Sequence, residues 1–127
     1  MIQGLNIEAA FDKISEYWSP AIIGEVNDSY VKIAKLKGEF VWHAHDSEDE
    51  LFYIVKGELL IQTRDQDISL KKGDMYIVPK GVQHNPQAKD ECWVMLLEPK
   101  TTAHTGEVDT KGTKSTEDQL LRGKGLI

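Results

Sequence analysis

Short hydrophobic runs separated by turn-forming residues fill the middle of the chain, from residue 21 to residue 99. The separators are rich in glycine, aspartate and lysine, and no helical pattern interrupts the runs. Many short strands at near-regular spacing are typical of an antiparallel sandwich or barrel, whereas a parallel sheet needs helices between its strands. The sequence therefore predicts an all-β fold with strands at 21–26, 30–36, 40–45, 51–55, 59–63, 68–70, 75–78 and 93–97.

The segment before the strands is predicted to be helical, within an N-terminal unit of residues 1–20. Apolar side chains recur at helical spacing over residues 6–18, and Asn6 is a suitable N-cap. Ser19 precedes Pro20, which disfavours helical backbone at that point. The apolar stripe consists of Ile7, Ala10, Phe11, Ile14 and Trp18. We expect this helix to pack on the sheet.

The region after the strands, residues 100–127, has the polar composition of a linker. It is predicted to be a polar C-terminal tail. Its leucines at 120, 121 and 126 could anchor the end on the body or on a second subunit. His104 lies in this region, outside the hydrophobic runs, and is expected to be exposed with no ligand role.

Composition narrows the classes of partner. The chain has 127 residues, which suits one domain, and a formal net charge of −6 with only two arginines. Nucleic acid is therefore not an expected partner, because phosphates need clustered positive charge. No run approaches the ~20 apolar residues of a membrane span, and the N-terminus lacks signal-peptide features. The single cysteine, Cys92, lies in an apolar run, and a cytoplasmic location is expected.

Three of the four histidines fall into two short segments that indicate metal chemistry. His43 and His45 are two apart on a predicted strand, so their side chains share one face. Glu50 opens the next strand, where a hairpin would bring it close to them, and His84 follows a turn at Pro79. Imidazole nitrogens with a carboxylate suit Mn, Fe, Co, Ni, Cu or Zn better than Mg or Ca. Taken singly, each feature also fits an ordinary turn or loop.

The spacing of these residues resembles the paired motifs of the cupin superfamily. His43 and His45 are followed after four residues by Glu50, and after six more by Gly57. In the second segment Gly73 is followed after five residues by Pro79-x-Gly81, and after two more by His84. The resemblance spans roughly residues 21–99.

The resemblance implies a jelly-roll barrel, an antiparallel double-stranded β-helix, with one divalent transition metal held by His43, His45, Glu50 and His84. Two positions depart from the family pattern. Gly38 precedes His43 by one residue fewer than usual, and Ala88 stands where the family has asparagine. Glu48 and Asp49 are close enough in sequence to be rival carboxylate ligands.

Two functions follow from the resemblance as expectations. The first is a metal-dependent enzyme acting on a small polar or oxygenated organic molecule, either a dioxygenase or an isomerase similar to mannose-6-phosphate isomerase. The second is a non-catalytic cupin that binds a small ligand such as a sugar or organic acid. Apolar residues predicted on the inner face, Val41, Phe52 and Ile54, favour the dioxygenase.

No catalytic residue can be assigned at this stage. The acid–base candidates beyond the metal ligands are Glu39, Glu58, Gln62, Tyr53, Tyr76 and Gln83. Phe52, Met75 or Met95 could instead fill the cavity. A homodimer is also expected, with residues 1–5 or the C-terminal leucines reaching the partner.

Overall fold

Seven antiparallel β-strands and two helices form the fold in a computed structural model of the chain, which describes residues 4–106 and 112–127. The remaining parts of the predicted N-terminal segment and tail lie outside the described residues. Along the chain the elements are α1 (Ile7–Asp12), β1 (Ala21–Val26), β2 (Ser29–Glu39), β3 (Glu50–Lys56), β4 (Glu58–Thr63), β5 (Asp67–Lys71), β6 (Met75–Val78), β7 (His84–Pro99) and α2 (Thr116–Leu126).

The last strand, β7, connects the two parts of the sheet. The main path runs β1-β2-β7-β3-β6, and β4 pairs with both β5 and β7. Every pairing is antiparallel. The 16 residues of β7 can serve three neighbours because its first half pairs with β4 and its second half with β3, while β2 spans both. This architecture confirms the predicted all-β, antiparallel fold.

The sheet has apolar side chains on both faces. Phe52, Ile54 and Val94 belong to a cluster inside the barrel. A second cluster lies on the outer face of β1, β2 and β7, where Phe11 of α1 stacks on Trp93 with ring centroids 4.8 Å apart. The outer cluster explains the predicted packing role of the N-terminal helix, because that helix covers one sheet face from water.

The N-terminal helix is shorter than predicted. It ends at Asp12 and not near residue 18, because contacts with the sheet fix the following residues in other conformations. Trp18 has φ 56° and donates from Nε1 to the Lys37 carbonyl at 2.8 Å. The predicted N-cap is confirmed, since the Asn6 side chain accepts from the Ala9 N–H.

Two strand predictions were wrong in extent. Residues 40–45 form no strand, and His43 makes only an isolated bridge with His84. A register shift between Leu36 and Gly38 interrupts the ladder between β2 and β7, and its last pair, Glu39 with Gln87, lies just before this segment. The acidic pair at 90–91, expected as a turn, lies inside β7. The segment that carries His43 therefore has a different backbone conformation from the predicted one, but the His43 side chain is still buried.

The C-terminal region is not a detached tail. Helix α2 begins at the N-cap Ser115, and its Leu126 is buried in the outer cluster. Gly123 lies so close to β1 that an added Cβ would overlap the Ile22 carbonyl oxygen. The anchoring expected of Leu126 is confirmed on the body, whereas Leu121 is exposed.

No helix among the described residues is long and apolar enough to cross a membrane.

Candidate metal centre

Four buried side chains converge at one end of the barrel interior. Their potential ligand atoms all lie within 4.8 Å of one another, and the residues are His43, His45, Glu50 and His84. Glu50 opens β3, and Phe52 and Ile54 share its inward face, as strand alternation predicts. His84 opens β7 and bridges to His43 through paired backbone hydrogen bonds of 2.9 and 3.0 Å. The structure thus brings together all four residues singled out from the sequence.

Three potential ligand atoms of this cluster have no hydrogen-bond partner among the described residues. Oε1 of Glu50 lies 3.4 Å from Nε2 of His84 and 3.7 Å from Nε2 of His45. All three atoms are buried without a hydrogen bond. Unpaired buried polar atoms cost free energy, so several of them aimed at one point need a compensating group. An ion between them would supply that compensation.

Two imidazoles are oriented by backbone carbonyls. Nδ1 of His43 donates to the Val41 carbonyl at 2.8 Å, and Nδ1 of His84 donates to the Val82 carbonyl at 2.9 Å. A hydrogen bond of this kind places the proton on Nδ1 and leaves the Nε2 lone pair free for a metal ion. Both rings therefore have the tautomer that a ligand requires.

Burial also keeps the histidines neutral. It lowers the pKa of His43 to about 3, with the neighbouring His84 adding to the effect. The pKa values of His45 and His84 are lowered as well, mainly by burial. Burial raises the pKa of Glu50. Neutral imidazoles are the form that binds metal, so the histidine side of the cluster needs no deprotonation near pH 7.

A buried ion pair that the sequence analysis missed lies beside Glu50. Nζ of Lys32 is 2.6 Å from Oε1 of Glu98, and both side chains are at most 3% exposed. Burial and the neighbouring Glu50 carboxyl raise the pKa of Glu98. The three groups lie on adjacent strands, because Leu51 pairs with Leu97 and Lys32 pairs with Leu96. Lys32 thus supplies positive charge next to two carboxyl groups.

The alternation rule could have found this pair. Val94 and Leu96 point inward, so Glu98 two residues later must do the same. Ala34 and Leu36 place Lys32 on the inner face of β2 by the same argument. The signal was obscured because outward residues of these strands, such as Ile33, are also apolar and buried under the helices.

A small cavity of about 40 Å³ adjoins the cluster, with His43 and Glu50 in its wall. Its lining is mostly apolar and includes Phe52, as expected from the sequence. Trp18 and Phe40 stack at its edge with ring centroids 4.7 Å apart. This space holds only a few water-sized groups, and Trp18 and Phe40 are part of the wall that limits it. Met75, proposed as a possible filler, is 53% exposed and lies elsewhere.

The exposure expected for His104 was wrong. It is half-buried and lines the same cavity as His43 and Glu50, with its ring 5.2 Å from that of Phe40. Its Nδ1 accepts a hydrogen bond from the Lys114 N–H at 2.9 Å. The turn that carries it is held against the barrel, because an added Cβ at Gly106 would overlap the Ala44 carbonyl oxygen. His104 is not one of the four clustered residues.

The other sequence candidates lie away from the cluster or are engaged elsewhere. Glu48 accepts from the Thr101 hydroxyl and Asp49 accepts from the Lys80 N–H, each at 2.8 to 2.9 Å. Neither rival carboxylate belongs to the cluster. None of the six acid–base candidates lines its cavity: Glu39, Tyr53, Glu58 and Gln83 are exposed, and Gln62 and Tyr76 are half-buried.

A larger depression of about 700 Å³ lies elsewhere on the barrel. Its lining includes Glu58, Ser69 and Lys71 but none of the four clustered residues. Cys92 is fully buried, as expected, and burial raises the pKa of its thiol to about 12. A thiol with that pKa remains protonated and unreactive near pH 7. Among these features, only the histidine–carboxylate cluster combines converging donors with a cavity.

Comparison with known proteins places this cluster in context. Residues 29–98 match the model of the family described as "Cupin domain". The crystal structure of a cupin-2 domain containing protein from Shewanella frigidimarina NCIMB 400 is 47% identical, with a TM-score of 0.74. That similarity covers 76% of this chain and 94% of the other. The family match ends at residue 98, so His104 lies beyond it.

Two curated relatives differ in how much of their length is matched. The "Uncharacterized protein YdbB" of Bacillus subtilis (strain 168) is 38% identical over 84 residues, which are 65% of this chain and 74% of that protein. The "3-hydroxyanthranilate 3,4-dioxygenase" of Xenopus tropicalis is 26% identical over 95 residues. The match covers 65% of this chain but only 32% of the dioxygenase, so the likeness concerns a part of that enzyme.

Proposed function

The chain belongs to the cupin domain family, and from that membership we propose that it is a metal-dependent enzyme acting on a small polar or oxygenated organic molecule. The observation that carries the proposal is the convergence of unpaired, buried imidazole and carboxylate donors beside a cavity. The proposed ligands are His43, His45, Glu50 and His84. No catalytic residue is assigned among the other side chains.

The donor set fits one divalent first-row transition metal. Three imidazoles with one carboxylate suit Mn, Fe, Co, Ni, Cu or Zn, and no cysteine takes part. Structural zinc sites usually close a tetrahedron, whereas this set leaves positions open in a five- or six-coordinate ion. When bound, the ion would supply Lewis acidity and open coordination positions. The protein's own residues then hold the ion, exclude bulk water and shape the space above it.

A dioxygenase is favoured over an isomerase by the cavity lining. An isomerase needs an acid or base beside the reacting carbon. The six candidates from the sequence do not line this cavity, and His104, which does, is a weak base because its pKa is lowered to about 4. An oxygenase can rely mainly on the metal and an apolar pocket, which is the environment formed by Trp18, Phe40 and Phe52. The partial likeness to 3-hydroxyanthranilate 3,4-dioxygenase supports the same choice.

The rival function is a non-catalytic cupin in which the metal anchors a sugar or organic acid. The small volume of the cavity favours it, because about 40 Å³ is well below the size of usual ligand pockets. Both functions require the metal, so metal content alone does not separate them.

The first experiment tests the metal centre. Apo protein is reconstituted with each candidate ion, desalted and analysed for metal. We expect about one ion per chain for at least one of them, and a large loss in His84→Ala. Failure to retain any of these ions would refute the proposed centre.

The second experiment separates enzyme from binder. We expect the absorption spectrum of cobalt-substituted protein to shift on adding azide, because an open position accepts the anion. Oxygen uptake by the iron(II)-loaded protein is then measured with small hydroxy acids, keto acids and 3-hydroxyanthranilate. Uptake that is absent in His84→Ala supports the enzyme. An azide shift without uptake favours the binder, and no shift indicates a sealed, structural ion.

We also propose that the chain forms a homodimer. Apolar side chains on the outer face of β3 and β6 are exposed, among them Tyr53, Met75 and Ile77, and exposed apolar patches often mark subunit contacts. Light scattering at micromolar concentration is expected to give twice the chain mass, and Ile77→Lys is expected to reduce it. A monomer mass for the unaltered protein would contradict the proposal.

A further inference from the structure

We propose that His104 binds the ligand directly, donating the hydrogen bond of its Nε2–H to a carboxylate oxygen of a small organic acid held at the metal centre. The inference rests on the proposed function, and it assigns a role to a residue outside the matched cupin domain. It also narrows the ligand from a polar molecule to a carboxylate.

The position of His104 is the first observation. It lines the cavity that His43 and Glu50 also line, yet it is absent from the cluster of metal-ligand candidates. Its ring lies 5.2 Å from the Phe40 ring, which in turn lies 5.4 Å from the His43 ring. His104 therefore shares the wall of one small cavity with two of the proposed ligands, and a molecule bound in that cavity could contact both.

The tautomer of His104 is the second observation. The Lys114 N–H donates to Nδ1, so Nδ1 must carry a lone pair and the proton of the neutral ring must be on Nε2. Among the described residues, no hydrogen-bond acceptor is found for that Nε2–H. The pKa of His104 is lowered to about 4 by burial first and then by nearby cations, so the ring is neutral near pH 7. A neutral ring of this tautomer can only donate from Nε2.

The charges around His104 favour an anionic acceptor. Among the described residues, three cationic side chains act on its ring: Lys114, Arg122 and Lys32, the last of which is already paired with Glu98. Their positive potential stabilises negative charge nearby, and a hydrogen bond to a charged acceptor is stronger than one to a neutral oxygen. A carboxylate that places one oxygen on the metal and another towards His104 satisfies both partners.

The backbone holds the imidazole in place. Gly106, two residues later, contacts the backbone of Ala44 between the two histidines of the first motif. On its other side, the Lys114 N–H fixes the ring, and Lys114 is followed directly by the N-cap of α2. A donor fixed in this way loses little rotamer freedom on binding, which favours affinity.

The test uses two substitutions that separate the two nitrogens of the ring. His104→Asn keeps an oxygen near the Nδ1 position, which can accept from Lys114, but it has no group near Nε2. His104→Gln places an amide N–H near the Nε2 position but loses the acceptor at Nδ1. Oxalate, which can chelate an ion and leave two oxygens free, is titrated into the cobalt-substituted proteins, and the spectral change gives its Kd.

If His104 donates to the ligand, the Kd for oxalate rises about tenfold or more in His104→Asn and much less in His104→Gln, as expected for one hydrogen bond to a charged group. Metal content stays near that of the unaltered protein in both. If His104 serves only to hold the C-terminal segment, the order reverses, and that result would overturn the inference.

The controls separate this inference from the proposed function. Azide reports whether the metal is accessible at all. An azide shift with equal oxalate affinity in all three proteins would refute the role of His104 and leave the accessible metal centre intact. No shift with azide or oxalate in the unaltered protein would refute the accessible centre itself, and the role of His104 with it.

Discussion

The barrel wall and the C-terminal region, residues 100–127, both contribute to one cavity but are built on different principles. In the wall, Glu50 and His84 each open a strand, and His43 is tied to His84 by paired backbone hydrogen bonds. The C-terminal region carries His104 to the same cavity without a strand of its own. It is held by close backbone approaches at Gly106 and Gly123, by the burial of Leu126, and by side-chain contacts such as the hydrogen bond from Thr101 to Glu48.

This difference separates two tasks. The wall supplies the four clustered donors, and all four lie within the matched residues 29–98. The C-terminal region lies beyond that match and contributes a side chain that we expect to select the ligand. A substitution in the wall should therefore alter metal binding. A substitution in the C-terminal region should alter ligand binding or the packing of α2 on the barrel, and it should leave the metal in place.

The largest expected effect tests this division at the metal. His84→Ala removes a proposed ligand from the wall, and even supporting residues around metal sites are worth 10- to 100-fold in affinity. We expect metal affinity to fall by about a thousandfold, measured by competition with a chelator. His104→Asn is the matched control and should change metal affinity little. Equal losses in both would show that the two regions hold the ion together.

The next prediction concerns the buried ion pair between Lys32 and Glu98 in the barrel wall. Lys32→Met removes the cation from the buried pair with Glu98 and leaves a carboxyl group unpaired. Breaking a buried pair on one side is strongly destabilising, so we expect the free energy of unfolding to fall by about 3 kcal/mol. Chemical denaturation of the metal-free protein measures it.

Lys100→Met is the control in the C-terminal region. Nζ of Lys100 lies 2.8 Å from Oε2 of Glu25 at the surface. We expect the free energy of unfolding to fall clearly less in Lys100→Met than in Lys32→Met, because water screens this surface pair. A loss as large as that of Lys32→Met would mean that the C-terminal region stabilises the fold by the same means as the wall.

A smaller effect tests how α2 is docked. Gly123→Ala adds a Cβ that overlaps the Ile22 carbonyl oxygen, and we expect it to lower the free energy of unfolding by about 2 kcal/mol. Gly125→Ala is the matched control on the same helix, with nothing within 4 Å of the added atom. It should leave stability unchanged or raise it slightly, because alanine favours helix. If both substitutions are neutral, α2 is not held through Gly123.

The last expected effect is a pH dependence of stability. The pKa of His104 is lowered to about 4 in the folded protein, against an ordinary value of 6.5. Between these values the unfolded chain takes up a proton that the folded chain does not, so this residue makes stability fall as pH falls through that range. In His104→Gln the decline should be shallower. Parallel curves for the two metal-free proteins, measured by denaturation from pH 7 to 4, would contradict the neutral ring.

The contrast between the barrel wall and the C-terminal region also determines which features could be predicted from the sequence. The four clustered donors are identified by short-range spacing, because the paired motifs single them out and strand alternation places Glu50 on the interior. His43 and His45 point inward even though the predicted strand around them was wrong. Their burial survives because the bridge to His84 replaces the missing ladder.

The contribution of the C-terminal region leaves no comparable pattern. Its docking depends on glycines that approach distant backbone and on a ring fixed by a backbone N–H, and neither gives hydrophobic periodicity. The polar composition therefore indicated a linker. Helix α2 was missed for the same reason, because it contacts β1 through Gly123 and buries its leucine only at position 126.

The central role of β7 has a consequence for the order of assembly. This strand carries His84 at one end and Glu98 near the other, and it pairs with β2, β3 and β4, which are distant in sequence. Contacts between distant segments form slowly, because the loops between them must close first. The donor cluster therefore cannot exist until the last strand has inserted between its neighbours. We expect the ion to be acquired by a barrel that is already complete, so that refolding rates are the same with and without metal.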